Sequence, residues 1–291
     1  MEVRKMSTVI NQQSVKVVKV KAIVHLSVVA FMLFTCLANA GKVQATVPVP
    51  SGFQVVSSGT GVTVYRKTYS SGAPDYVTVV DLRYATIQSY TGWAYSDGSV
   101  ERRSLRTHWD NAVAQNTSSR RAKVAINGTF FATNAYPNAG IAFGLKANWW
   151  IMSTGYGLQE YPGKVLTLAY DSSFGSSSIQ PHSVNTFNSG IPDVVGGLDN
   201  SVDKDGRRNS YIPRTYVGVR DDNNDTHSET IIFFSSAYAT QDWAVQILGG
   251  FGAGTKMMLD GGGSTGLIVD GNDYIYTGRT LPQVFMISTG K

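Results

Sequence analysis

From about residue 62 onward the chain repeats one pattern, short runs of valine, isoleucine, threonine and aromatic residues closed by glycine, asparagine or aspartate. Such runs fit a pleated, partly buried surface and predict strands at 62–69, 76–84, 123–131, 141–152, 165–170, 215–220 and 230–234. Further strands are predicted at 256–259, 266–269, 274–276 and 283–287. Only two segments have helical spacing. Thr107 is placed to cap a helix through residue 115, and Thr240 to cap 241–248, where Ala244, Val245 and Leu248 share a face. Many strands and few helices predict an α+β fold, a single strand-rich domain with mostly antiparallel or mixed sheet. No solenoid or propeller period recurs.

The first 45 residues follow a different rule. Lys16, Lys19 and Lys21 precede an apolar run over 22–37 and the small residues Ala38 and Ala40, the order of a cleaved export signal. The alternative, an uncleaved anchor, needs a longer apolar run than one interrupted by His25 and Ser27. The leader is therefore assigned to 1–45, and 46–78 to an N-terminal extension or the first strands. Export implies a periplasmic or secreted protein without membrane attachment once the signal is gone.

Removing the leader also changes the charge. The 25 Lys and Arg against 20 Asp and Glu become 19 against 19 without the leader's six bases and one acid. The formal charge of +5 thus belongs to the signal and does not argue for nucleic acid, and Arg102, Arg103, Arg106, Arg120 and Arg121 lack the aromatic interleaving of a nucleic-acid groove. Cys36, the only cysteine, lies in the leader, so the mature chain has no disulfide and no thiolate metal site.

The chemistry concentrates at strand ends. In the run Met257-Met258-Leu259-Asp260-Gly261-Gly262-Gly263-Ser264, an acid follows an apolar strand and meets three glycines, whose backbones approach a ligand closely and offer successive amides to an anion. No lysine follows at P-loop spacing. Asn127 ends a second apolar strand at an Asn-Gly turn, which alone is equally a plain hairpin. Arg214 follows Pro213 at a strand start, and a guanidinium there suits phosphate or carboxylate, or an ordinary ion pair. Gly196 and Gly197 predict a close-approach turn. His108, His182 and His227 are scattered without metal spacing and read as surface or loop residues. Residues 221–225 resemble a calcium loop in composition but lack its glycine and distal glutamate, so a turn is the better reading. No G-x-S-x-G elbow occurs.

In content and order these segments resemble the phosphodiester glycosidase family. Residues 127–131 match its early N-G-G-F-F-like turn, Pro213 to Thr215 its central P-R-T, and Leu259 to Ser264 its late L-D-G-G-G-S loop, with the likeness spanning 79–289. Gly197 and Arg279 fall where the family has a glycine turn and a late arginine. Thr129 replaces the family's second glycine, and the segment 199–211 is unusually polar. The resemblance implies a hydrolase cleaving a sugar-1-phosphodiester in a glycan or cell-envelope substrate, and the leader adds export. Asp260 would be acid or base and Asn127 would orient substrate; glycosidase chemistry calls for a second carboxylate, and Asp193, near the paired glycines Gly196 and Gly197, is the candidate. Arg214, the Gly261, Gly262 and Gly263 amides, Ser264, Thr129, Gly197 and Arg279 would contact phosphate and sugar. No cofactor is required, a divalent cation stays open, and oligomeric state is undetermined. Two rivals use the same groove, a silent anionic-glycan binder stacking sugars on Trp149 or Trp150, and a phosphodiesterase cutting the P–O bond. Of those adjacent tryptophans at least one is expected in the core, since neighbours on a strand face opposite sides.

Overall fold

Residues 47–291 are described in the computed structural model, and the leader predicted over 1–45 lies outside them. The strands pair antiparallel throughout the described residues, some through hairpins such as Gln54–Gly59 with Val62–Lys67 and others between distant segments such as Ala85–Thr91 with Gln283–Thr289. An 11-stranded sheet runs in space from Gln54–Gly59 through Val62–Lys67, Asp75–Asp81, Thr230–Ala239, Ile212–Arg220, Lys256–Met258, Asp193–Asp199 and Val165–Asp171 to Ser176–Pro181. The hairpin Leu145–Ala147 and Trp150–Ser153 joins it beside Asp193–Asp199. A second sheet orders Asn272–Ile275, Leu267–Val269, Arg121–Asn127, Gln283–Thr289 and Ala85–Thr91. Residues 54–78 supply the first strands of the large sheet.

The central strand Thr230–Ala239 explains why its run is apolar without alternation. Ile231 and Phe233 enter a core shared with the small sheet, where the Phe233 and Phe285 rings lie 5.0 Å apart. Ile232 and Phe234 point the other way, into a cluster with Ala244, Leu248 and Phe251. A sheet buried on both faces selects large apolar residues at every position.

Three helices occur among the described residues: α1 (Leu105–Val113), α2 (Val184–Asn188) and α3 (Gln241–Gly250). Thr240 caps α3, its hydroxyl accepting the Trp243 amide at 3.2 Å. For α1 the cap is Ser104 rather than Thr107, whose own amide donates to Ser104 Oγ at 3.0 Å. The first turn of α1 thus begins earlier, with Leu105 buried beneath it. No helix among the described residues is long and apolar enough to cross a membrane.

Two sequence expectations change. The run at 141–152 is a hairpin, turned by Asn148 (φ 49) and Trp149 (φ 75). Across that tip the two-residue alternation breaks, so Trp149 and Trp150 are both exposed, at 57% and 75%. Gly196 and Gly197 form no turn and lie inside the strand Asp193–Asp199. They do permit close approach, but of protein: a Cβ on Gly196 would sit 2.0 Å from Phe143 O, and one on Gly197 2.5 Å from Met258 O. Backbone cannot yield as a side-chain tip can, so Gly196→Ala is expected to destabilise the fold by about 2–3 kcal/mol, read by calorimetry. An unshifted melting temperature would contradict this packing role.

Candidate active site

The site lies where the chain crosses from one sheet to the other. Lys256–Met258 is held on both sides, Met258 opposing Tyr216 on one neighbour and Leu198 on the other. Beyond it the Leu259 amide still donates to Thr215 O at 3.0 Å, and then the Asp260 amide donates to Gly128 O at 3.0 Å, past the end of Arg121–Asn127. A short 3₁₀ turn, Gly262–Ser264, follows, and the chain enters the small sheet as Leu267–Val269. Gly262 takes φ 56 with open space around it, so conformation rather than crowding calls for glycine there.

Asn127 is the brace under this crossing. Its Nδ2 donates to Asp260 O at 2.6 Å, while Oδ1 accepts from Thr215 Oγ1 at 2.7 Å and the Gly266 amide at 3.2 Å. Fully buried and bonded to three segments, it holds the loop in place and is not among the residues lining the cavity above it, which differs from the expectation that it orients the ligand directly.

A cavity of about 310 Å³ opens over the loop, lined by Asp260, Gly261, Gly262, Gly263, Arg214 and Arg279, among others. Residues far apart in sequence thus converge. Asp260 is half-buried, with Oδ1 accepting the Gly261 amide at 3.0 Å and Oδ2 sequestered without a hydrogen bond. Burial pushes its carboxyl up to about 6, against the opposing pull of the Ser264 hydroxyl and the Arg279 guanidinium. The Gly261 amide is thereby engaged, whereas the Gly262 and Gly263 amides donate to no acceptor among the described residues.

Two arginines flank these amides. Arg279 donates from Nη1 to Ser264 Oγ at 3.0 Å and packs over Gly263, where a Cβ would come within 2.9 Å of its Nη2. Arg214 is buried; it donates from Nε to Ala239 O at 3.4 Å and from Nη2 to the carbonyls of Arg207 and Ser210. Burial lowers its pKa, opposed by Tyr216 and Asp203. No carboxylate forms an ion pair with it among the described residues. A buried cation held only by neutral carbonyls keeps charge for an incoming anion.

Other expected site residues lie elsewhere. Asp193 lines a different cleft. It starts the strand whose Leu198 opposes Met258, five residues away, or roughly 17 Å at strand rise. It is not the second carboxylate of this pocket. Thr129 is buried and does not line the pocket, its amide donating to Gln283 Oε1 at 2.9 Å, and Gly197 is sheet interior. Ser264 is buried, with its Oγ accepting from Arg279 Nη1. Conversely, Lys204, Asp205 and Arg207 line the cavity and were not singled out by motif. Their only sequence signal was the unusual polarity of 199–211.

Possible metal ligands are limited. Asp221, Asp225 and Glu229 bring oxygens within 4.8 Å of one another, but both Asp221 oxygens already accept backbone amides, as in the predicted turn. His108, expected at the surface, is buried on α1 with Nε2 3.1 Å from Leu281 O, and burial depresses its pKa to about 4.

The sequence profile of the phosphodiester glycosidase family matches residues 120–288. A search of curated proteins finds no match. Among solved structures the chain resembles the zebrafish N-acetylglucosamine-1-phosphodiester alpha-N-acetylglucosaminidase catalytic domain auto-inhibited by pro-peptide, with TM-score 0.57 and 13% identity over 84% of this chain and 86% of that one. A hypothetical protein from Synechocystis aligns at TM-score 0.49 and 13% identity over 82% of this chain and 69% of that one.

Proposed function

The chain belongs to the phosphodiester glycosidase family, and from that premise we propose that it is an exported hydrolase cleaving the bond between an anomeric carbon and a phosphodiester in a glycan or cell-envelope substrate. The observation carrying this reading is one cavity holding a carboxylate with a raised pKa beside two arginines and two free glycine amides. The phosphate sits against Arg214, Arg279 and the Gly262 and Gly263 amides. Asp260, as carboxylate, takes a proton from the water attacking the anomeric carbon. The C–O bond breaks, its electron pair leaves with the phosphate, and the cationic wall stabilises the charge that develops there. A phosphate monoester is a good leaving group, so base assistance to water matters more than acid assistance to departure.

Asp205 is the other carboxylate lining the cavity. The name of the zebrafish enzyme supports the substrate class, and the predicted leader supports export.

The test is hydrolysis of a sugar-1-phosphodiester with the products identified. Free sugar plus a phosphate monoester is expected. Sugar-1-phosphate plus alcohol would mean P–O cleavage, and binding without turnover would mean a glycan-binding protein.

A further inference from the structure

We propose that the cleft between the edge strand Ala85–Thr91 and the hairpin Leu145–Ala147/Trp150–Ser153 is a second binding site, taking a neutral sugar ring of a glycan chain. The inference stands whether or not the Asp260 pocket hydrolyses a glycosyl phosphate. The cleft has a volume of about 290 Å³ and combines Trp150 with Gln88, Ser89, Gln115, Asn148 and Asp193. A pyranose is amphipathic, with C–H faces and a hydroxyl rim. An indole covers such a face, while amides and a carboxylate take the hydroxyls. Among the described residues Asp193 is the only charged one lining the cleft, so nothing described there attracts phosphate. The cationic Asp260 cavity has the opposite character.

The aromatic tip is built to stand out and stay fixed. Trp149 takes φ 75, a conformation that favours glycine, and its amide donates to Pro192 O at 2.9 Å. The Asn148 amide donates to Asp193 Oδ1 at 3.1 Å, and Lys146 Nζ lies 5.8 Å from the Trp149 ring centre. Trp150 is nonetheless 75% exposed. A large apolar ring presented to water on a pinned turn, beside the Gln88 and Asn148 side-chain amides that hold no hydrogen bond among the described residues, is preorganised for a ligand. The fold needs no tryptophan there, since the ring packs into no core cluster among the described residues.

The experiment is calorimetric titration of the protein with N-acetylchitotetraose, cellotetraose and maltotetraose, followed in parallel by tryptophan fluorescence. At least one tetrasaccharide is expected to bind and perturb the emission. Trp150→Ala should weaken that binding about tenfold or more. Tyr238→Ala, an exposed aromatic that lines a different cleft, should not, and Asp260→Asn should bind as the parent does. Absence of binding by all three sugars, or unchanged binding by Trp150→Ala, overturns the proposal. Loss of binding in Asp260→Asn would locate the sugar in the catalytic cavity and overturn it equally. Failure of the hydrolytic reading would appear separately, as no product from the parent protein.

Discussion

Asp260→Asn is expected to lower turnover by about a hundredfold or more while KM for a sugar-1-phosphodiester changes little. The amide keeps the shape of the carboxylate and can still accept the Gly261 hydrogen bond, so the loop and the phosphate contacts survive. What disappears is the group that takes the proton. Loss confined to kcat identifies an interaction made in the transition state, whereas equal loss in KM would make Asp260 a binding residue. Near-normal turnover would reduce it to loop architecture.

The pH dependence carries the same argument further. With burial raising the Asp260 carboxyl to about 6, a base role requires activity to rise with pH through that value, and the limb should vanish in the asparagine variant. A falling limb there would assign the acid role instead. Stability moves oppositely. Between the ordinary value of 3.8 and about 6 the folded protein holds a proton that the unfolded chain has released, so stability falls as pH rises across that window. Asp260→Asn removes this linkage, and its melting temperature relative to the parent should therefore increase from pH 4 to pH 7. Sequestered Oδ2 without a partner is the structural sign of that cost.

The parts of the site visible in the sequence were those whose meaning is local. Asp260 and its glycines read as a site because an acid and three flexible residues interrupt apolar strands, and Arg214 because proline marks a strand start. Asn127 was visible as a strand end, but whether its amide faced ligand or protein depended on Thr215 and Gly266, which only the meeting of two sheets supplies. Asp193 stands near Gly196 and Gly197 in sequence, but these glycines lie inside its strand. A strand carries its two ends to different places, and Asp193 stands at the far one. Lys204, Asp205 and Arg207 were hidden for another reason. Their segment has no period, and Asp205 sits at φ 59. It is shaped by buried Gln241, whose Nε2 donates to Asn200 O and Val202 O, both at 2.7 Å. The strands at Ala85–Thr91 and Ser176–Pro181 escaped because serine, threonine and glutamine dominate them, and their place is set by partner strands rather than by an apolar run.

Arg214→Ala is expected to reduce kcat/KM by about a hundredfold or more, with both affinity and turnover falling, because the phosphate contact exists before and during bond cleavage. The guanidinium is buried, so binding it to an anion involves little screening by water, and no carboxylate among the described residues forms an ion pair with it. Inorganic phosphate gives a direct readout. It should raise the melting temperature of the parent, as any ligand selective for the folded state does, and fail to do so in the variant. Removing the side chain also strips donors from the carbonyls of Arg207, Ser210 and Ala239, so some intrinsic destabilisation will accompany the loss. Arg214→Lys separates the two effects. It keeps a cation near the same place but loses the planar fork, and should recover part of the phosphate protection while kcat/KM stays well below the parent. Full phosphate protection in Arg214→Ala would instead assign the anion site to Arg279 and the glycine amides, leaving Arg214 as a brace for the polar segment that walls the cavity.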